Sequence, residues 1–251
     1  MAVNQDVIGI RAGIAEKAVA RAREHEFFLL VGILFPVIVI GGFIKNYYLR
    51  SLFPEMGPMY SDLVRFHAAV MTTWVLLFAA QAWLVSSKRI KLHMKLGWAG
   101  VGLAVLILVT GYMVSIASAQ RGNSVPGIPP NVFMIVPLMD LVLFVIFFGG
   151  AIYLRKSPAE HKRLMLLSAA NFLPPAAARM PIEALQALGP WWLFGLPTVL
   201  TIAALIYDTV RTKKLNKVFL AGSILLIVSF PFRLWFGGTE TWLTIADWLT
   251  R

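Results

Sequence analysis

Residues 132–154 read VFMIVPLMDLVLFVIFFGGAIYL, a run in which Asp140 is the only charged residue. At 1.5 Å per residue such a helix reaches about 34 Å, enough for the roughly 30 Å hydrocarbon layer of a bilayer. Six further stretches have the same character: 27–47, 66–85, 97–117, 164–181, 191–209 and 218–236. The pattern predicts an all-α, polytopic membrane bundle of about seven transmembrane helices. The fifth stretch is the shortest and contains Pro174 and Pro175. Two prolines remove two backbone donors, so a kink is expected there, tolerated where neighbouring groups satisfy the freed carbonyls.

Composition agrees. Of 251 residues, 59% are hydrophobic and 14% charged, with a mean hydropathy of +0.75. A soluble domain carries about 25% charged residues. The net charge of +11 raises the question of a nucleic-acid partner, and the distribution of the charge answers against one. Arg11, Lys17, Arg21 and Arg23 precede the first span, and Lys88, Arg89, Lys91 and Lys95 lie between the second and third. Arg155, Lys156, Lys162 and Arg163 follow the fourth span, and Arg211, Lys213, Lys214 and Lys217 follow the sixth. These segments share one side of the membrane and hold 16 of the 23 basic residues. Positive charge marks the cytoplasmic side, so the N-terminus is expected inside and, with an odd number of spans, the C-terminus outside. The expected location is a bacterial inner membrane and the expected partner is the lipid bilayer, with a larger membrane complex as a further partner. There is no cysteine, hence no disulfide and no thiolate ligand.

The ends of the chain read as peripheral elements. Residues 1–26 lack the apolar core and cleavage site of a signal peptide. Within them, Val7 to Glu24 reads as a basic, Ala-rich amphipathic helix on the cytoplasmic surface. In the tail, 237–251, Trp242, Ile245, Trp248 and Leu249 stand at helical spacing, which predicts a short helix at the outer interface. The loop 119–131 consists of turn-forming residues.

A weak internal repeat links His93-Met94-Lys95-Leu96 with His161-Lys162-Arg163-Leu164. Each tetrapeptide opens a span after a hairpin, which is the mark of duplicated helix pairs. The four histidines are His25, His67, His93 and His161. His25, His93 and His161 all precede spans at the cytoplasmic edge, where a helix N-terminus favours the neutral, ligating imidazole. Glu24, Glu26 and Glu160 adjoin them. Two facing histidines suit the iron of haem b, and a histidine and carboxylate group suits a transition metal. The alternative is that each histidine simply begins a helix in a head-group loop.

A second constellation is expected in the outer half. Asp140 lies near the middle of the fourth span, and an ionisable group at that depth is a functional candidate. Arg179 is its expected partner. With His67, Asn171, Tyr112 and Thr73 these residues would line a polar cavity for a lipid, quinone or small anion. The competing expectation is a buried ion pair that locks two helices together. Some activities are excluded. No span carries a central lysine for a retinal Schiff base, and four histidines cannot form the eight-histidine set of membrane di-iron enzymes. No phosphate-binding loop or nucleophile elbow is present, and no catalytic residue is assigned.

The motifs Phe66-His67-Ala68-Ala69, Trp74, Gln81, then Leu92-His93-Met94-Lys95-Leu96-Gly97, Asp140 and His161-Lys162-Arg163-Leu164-Met165 carry a resemblance. They resemble a widespread group of uncharacterised bacterial multi-pass membrane proteins with His-x-His-Gly, Leu-His-Arg-x-Leu-Gly and His-x-Arg-Leu-Met elements. The likeness runs over spans one to five. More distantly, the histidine-basic-Leu-Gly element is similar to one in membrane proteins of cytochrome oxidase maturation and in b-type cytochromes. This chain departs at Arg65, Ala68 and Met94, where the group has His, Gly and Arg. The resemblance implies the multi-pass fold and the placement of His93 and His161, which match its inner positions. The leading expectation is a protein that binds haem b or a metal at His93 and His161, with His25 as a third candidate, in electron transfer or oxidase maturation. The rival is a non-catalytic bundle that binds a ligand in the outer cavity or serves as a subunit of a larger membrane complex.

Overall fold

The computed structural model describes residues 26–54, 61–124 and 127–251, which contain helices and turns and no strand. In chain order the helices are α1 (Glu26–Tyr48), α2 (Asp62–Ser86), α3 (Ile90–Gln120), α4 (Pro130–Tyr153), α5 (Pro158–Ala170), α6 (Pro174–Ala177), α7 (Glu183–Gln186), α8 (Pro190–Thr212), α9 (Lys217–Gly237) and α10 (Glu240–Leu249). Six of them (α1, α2, α3, α4, α8 and α9) are long and apolar enough to cross a bilayer. Their outward residues include Leu76, Val105, Val109, Val142, Val145, Val199, Ile224 and Val228, all exposed. An apolar surface of this kind is matched to lipid. The chain is a multi-pass helical membrane protein. The segment Val7 to Glu24 and His25 lie outside the described residues.

The fifth expected span differs from a continuous helix. After Ala170 the chain passes through Asn171–Leu173 and resumes as the single turn α6. Pro174 and Pro175 bring no N–H to the helical ladder. The chain tightens instead, with Phe172 N–H donating to Ala169 O and Leu173 N–H to Ala170 O, both at 3.1 Å. The break is buried, with Asn171 and Ala176 at 0% exposure.

Helices in lipid gain little from the hydrophobic effect, so association rests on close packing and internal polar contacts. Trp74 of α2 meets Phe144 and Phe148 of α4 edge-on, each at 5.1 Å, and Phe144 also contacts Phe172 beside the break. Phe194 of α8 stacks on Phe230 of α9 at 4.7 Å. Small residues bring backbones together: a Cβ at Gly222 of α9 would strike Leu167, and one at Gly42 of α1 would strike the Ala176 carbonyl.

The turns are tight at both ends. The α2–α3 hairpin closes with Lys88 in the left-handed region (φ 60°) and Arg89 N–H reaching back to Leu84 O at 2.8 Å, a Schellman closure. At the opposite end, α10 docks inward through Trp242, whose indole N–H donates to Asn131 O at 2.8 Å. Trp248 points away and is 70% exposed. The four tail residues at helical spacing therefore divide between the bundle and its surroundings.

Gly41 and Gly42 give a matched test, since a Cβ at Gly41 meets nothing within 4 Å. Gly42→Leu is expected to lower stability by about 1–3 kcal/mol through overpacking, while Gly41→Leu leaves it nearly unchanged. Thermal unfolding of the two variants in detergent checks this, and equal losses would refute the packing assignment.

Candidate functional site

The turns carrying Lys88, Arg155 and Lys213 define a basic end of the bundle, where the first turns of α3 and α5 approach each other. His93 stands in the first turns of α3 and His161 in those of α5. Their ring centroids are 6.3 Å apart with planes at 87°. The two repeat-related histidines thus meet. The His161 Nδ1 and Ala151 O are 2.8 Å apart. A carbonyl only accepts, so Nδ1 carries the proton and the neutral ring keeps its lone pair on Nε2. Ala151 lies near the end of α4, among the carbonyls a helix terminus leaves without partners. His161 therefore closes α4 as well as facing His93.

Gln81 of α2 completes the group. Its Nε2 donates to the His93 carbonyl at 3.2 Å. Gln81 Oε1 and His93 Nδ1 are both buried and without a hydrogen-bond partner among the described residues. Buried polar atoms left this way are uncommon and mark places where a further group belongs. Among the described residues no three His, Asp or Glu side chains converge as a metal cage, so the donors offered here are two imidazoles and one amide oxygen. His25, the third expected ligand, is outside the described residues.

A second polar group at this end was invisible as a pair in the sequence. Arg163 of α5, 5% exposed, forks onto Asp208 of α8, 2% exposed. Its Nε and Nη2 donate to the two carboxylate oxygens at 2.8 Å each, the bidentate arrangement that makes such pairs strong. Arg211 approaches the same carboxylate at 3.9 Å. Lys162 lies over the Phe28 ring at 5.0 Å.

The outer constellation assembles differently from expectation. Asp140 pairs with Arg233 of α9, Nη1 to Oδ1 at 2.5 Å, and not with Arg179. Arg233 is completely buried and its Nη2 also donates to Ser229 Oγ at 3.3 Å. Arg179 is exposed, donates to Pro175 O at 2.9 Å and lies over the Phe43 ring. The cation nearer in sequence gives way to one 93 residues from Asp140, because burial selects the partner that can be fully enclosed. Asn171 does join Asp140, donating from Nδ2 to its backbone carbonyl at 2.8 Å. His67 stands apart, its Nδ1 2.9 Å from Thr110 Oγ1. Thr110 donates to Leu106 O, so the hydroxyl accepts from His67. Tyr112 and Thr73 are exposed, and Thr73 donates to Ala69 O within its own helix. Asp140 and Asn171 are thus enclosed together, while Tyr112 and Thr73 are exposed. Arg233 and Asp208, which sequence reasoning missed as site residues, both fall inside expected spans (218–236 and 191–209), and an ionisable residue inside a span is the signal that could have found them.

Fold and site together define a helical membrane protein with two buried arginine–aspartate locks and a pair of facing histidines at its basic end. No protein-family model, curated protein or solved structure matches the chain.

Removing one partner of a buried pair strands the other charge, at about 3–5 kcal/mol. Asp140→Ala is expected to lower the unfolding temperature in detergent sharply. Adding Arg233→Met to that variant is expected to restore part of the loss, and a double variant no better than the single one would count against the lock.

Proposed function

We propose that the protein holds a haem b iron, or a transition-metal ion, between His93 and His161 at the cytoplasmic end of a seven-crossing bundle in a bacterial inner membrane. The supporting observation is the 6.3 Å approach of the two rings. An ion bound by two imidazoles stands about 2 Å from each nitrogen and so roughly 3 Å from each ring centre. Two rings that share one ion have centres at most about 6 Å apart, and the observed separation lies at the upper end of that span. The tautomer set by Ala151 O leaves His161 Nε2 as a ligand, in the manner of outer contacts that orient metal-bound histidines.

Two imidazoles are too few to close a tetrahedral metal site, and histidine is a common protein ligand of haem iron. Haem b is therefore the first form of the proposal. A bare ion would draw on Gln81 Oε1 and outside ligands. Held by His93 and His161, a haem would supply one-electron redox chemistry, which suits electron transfer. A bare ion with open positions suits a donor in oxidase maturation. In this topology the fifth crossing is the broken segment α5–α6, the N-terminus is cytoplasmic, the C-terminus is outside, and α10 lies at the outer interface. The distribution of basic residues supports that orientation.

The test is an absorption spectrum with metal analysis of the detergent-purified protein, prepared with haem available and without chelators. A Soret band or a stoichiometric metal is expected in the wild type. It should be lost in His93→Ala/His161→Ala, with unfolding followed to confirm the bundle. A colourless and metal-free wild type would overturn the proposal.

A further inference from the structure

The basic end contains a cavity of about 430 Å³ between the first turn of α5 and the connection from α8 to α9. Its volume lies in the range of small-ligand pockets, about 300–1,000 Å³. The polar walls are Glu160, Arg163, Thr212, Lys214, Asn216 and Lys217. Three of these are cations and one is an anion.

The cations are held in different ways. Arg163 is fixed by its fork to Asp208 and by Nη1 donating to Ala159 O at 2.5 Å. Those bonds use three of the five N–H groups a guanidinium offers, so a rigid arginine faces the cavity with donors to spare. Lys214 and Lys217 are exposed and form no ion pair with a described residue. Glu160 is turned toward Asn216, whose Nδ2 donates to its Oε1 at 3.4 Å. Asn216 in turn caps α9, accepting from Phe219 N–H at 2.9 Å. The Thr212 Oγ1 lies 2.7 Å from Asp208 O and 2.8 Å from Lys214 O, with its single proton shared between the two carbonyls, tying the loop to the buried pair. The loop geometry is thus set by contacts that leave the two lysines uncommitted.

We infer that this cavity binds a phosphate group, carried by an anionic phospholipid headgroup or free in solution. Asp208 already balances the Arg163 charge, so the attraction for an anion comes from Lys214 and Lys217 against Glu160, and the spare guanidinium N–H groups beside two exposed ammonium groups suit the several oxygens of a phosphate. Basic pockets between helices at a membrane surface receive lipid headgroups by the same chemistry. The site does not depend on the histidine pair, since the His161 ring is directed to Ala151 O and His93 rather than into this cavity.

The full-length protein in detergent is titrated calorimetrically with sodium phosphate. In parallel, native mass spectrometry scores lipid retained from mixed phosphatidylglycerol and phosphatidylcholine micelles. Saturable phosphate binding or preferential retention of phosphatidylglycerol is expected. Either should weaken by about tenfold or more in Lys214→Gln/Lys217→Gln and strengthen in Glu160→Gln, which removes the opposing charge. Lys91→Gln/Lys95→Gln, exposed at the same end but outside the cavity, should leave binding intact. Phosphate binding without lipid preference identifies free phosphate as the source, and lipid preference alone identifies the headgroup. Binding of neither probe would overturn the inference, as would equal loss in the two lysine pairs.

Discussion

Arg233 enters the bundle with no exposed surface, and a charge in that setting must be met by protein groups because lipid offers none. Asp140 of α4 meets it, and the arrangement of the half of the bundle away from the basic end follows. The pair ties α9 to α4, while Asn171 ties the broken segment to α4 through the Asp140 carbonyl. Three elements remote in sequence are therefore joined at one carboxylate residue. Such a pair contributes less net stability than its short distance implies, since both ions were taken from water. Its stronger effect is on arrangement: α4 and α9 have few other ways to enclose both charges.

The basic end repeats this logic with a different outcome. Arg163 and Asp208 bind α5 to α8 by a fork buried as deeply as the outer pair. This anchoring holds the first turns of α5 in position, and His161 is two residues from Arg163 on the same turns. His161 then closes α4, and Gln81 holds the start of α3 through the His93 carbonyl. Each histidine sits on a helix start that is secured by contacts from another helix. Rigid support of that kind is what a ligand pair needs to keep its spacing. The same Arg163 also faces the neighbouring cavity, so one buried salt bridge underlies both features of this end.

Much of the architecture was legible in the chain. Runs such as 132–154 can reside only in lipid or in a buried core, and their number and length favoured lipid. Basic clusters between the runs indicated which ends belong together. The match between His93 and His161 drew attention to two positions that do meet. The pairings were less legible. Arg179 was the nearer cation to Asp140 by depth along neighbouring spans, yet it faces outward, and Arg233 of a later span turned inward. Helical periodicity assigns a residue to a face only when faces differ in polarity, and in these spans lipid-facing and buried faces are both apolar. His67, Tyr112 and Thr73 were grouped by depth for the same reason and then divided by helix rotation.

The sequence by itself determined that this is a helical membrane protein, where its apolar runs lie, which ends carry the positive charge and where prolines interrupt the fifth segment. These depend on local composition and on hydrogen bonding within a single segment. Tertiary structure decided the partners: Arg233 for Asp140, Asp208 for Arg163, and His93 for His161. The physical reason is that each partnership depends on helix rotation and packing, and in an apolar solvent those are selected by small-residue contacts and by enclosure of charge rather than by a polar and an apolar face.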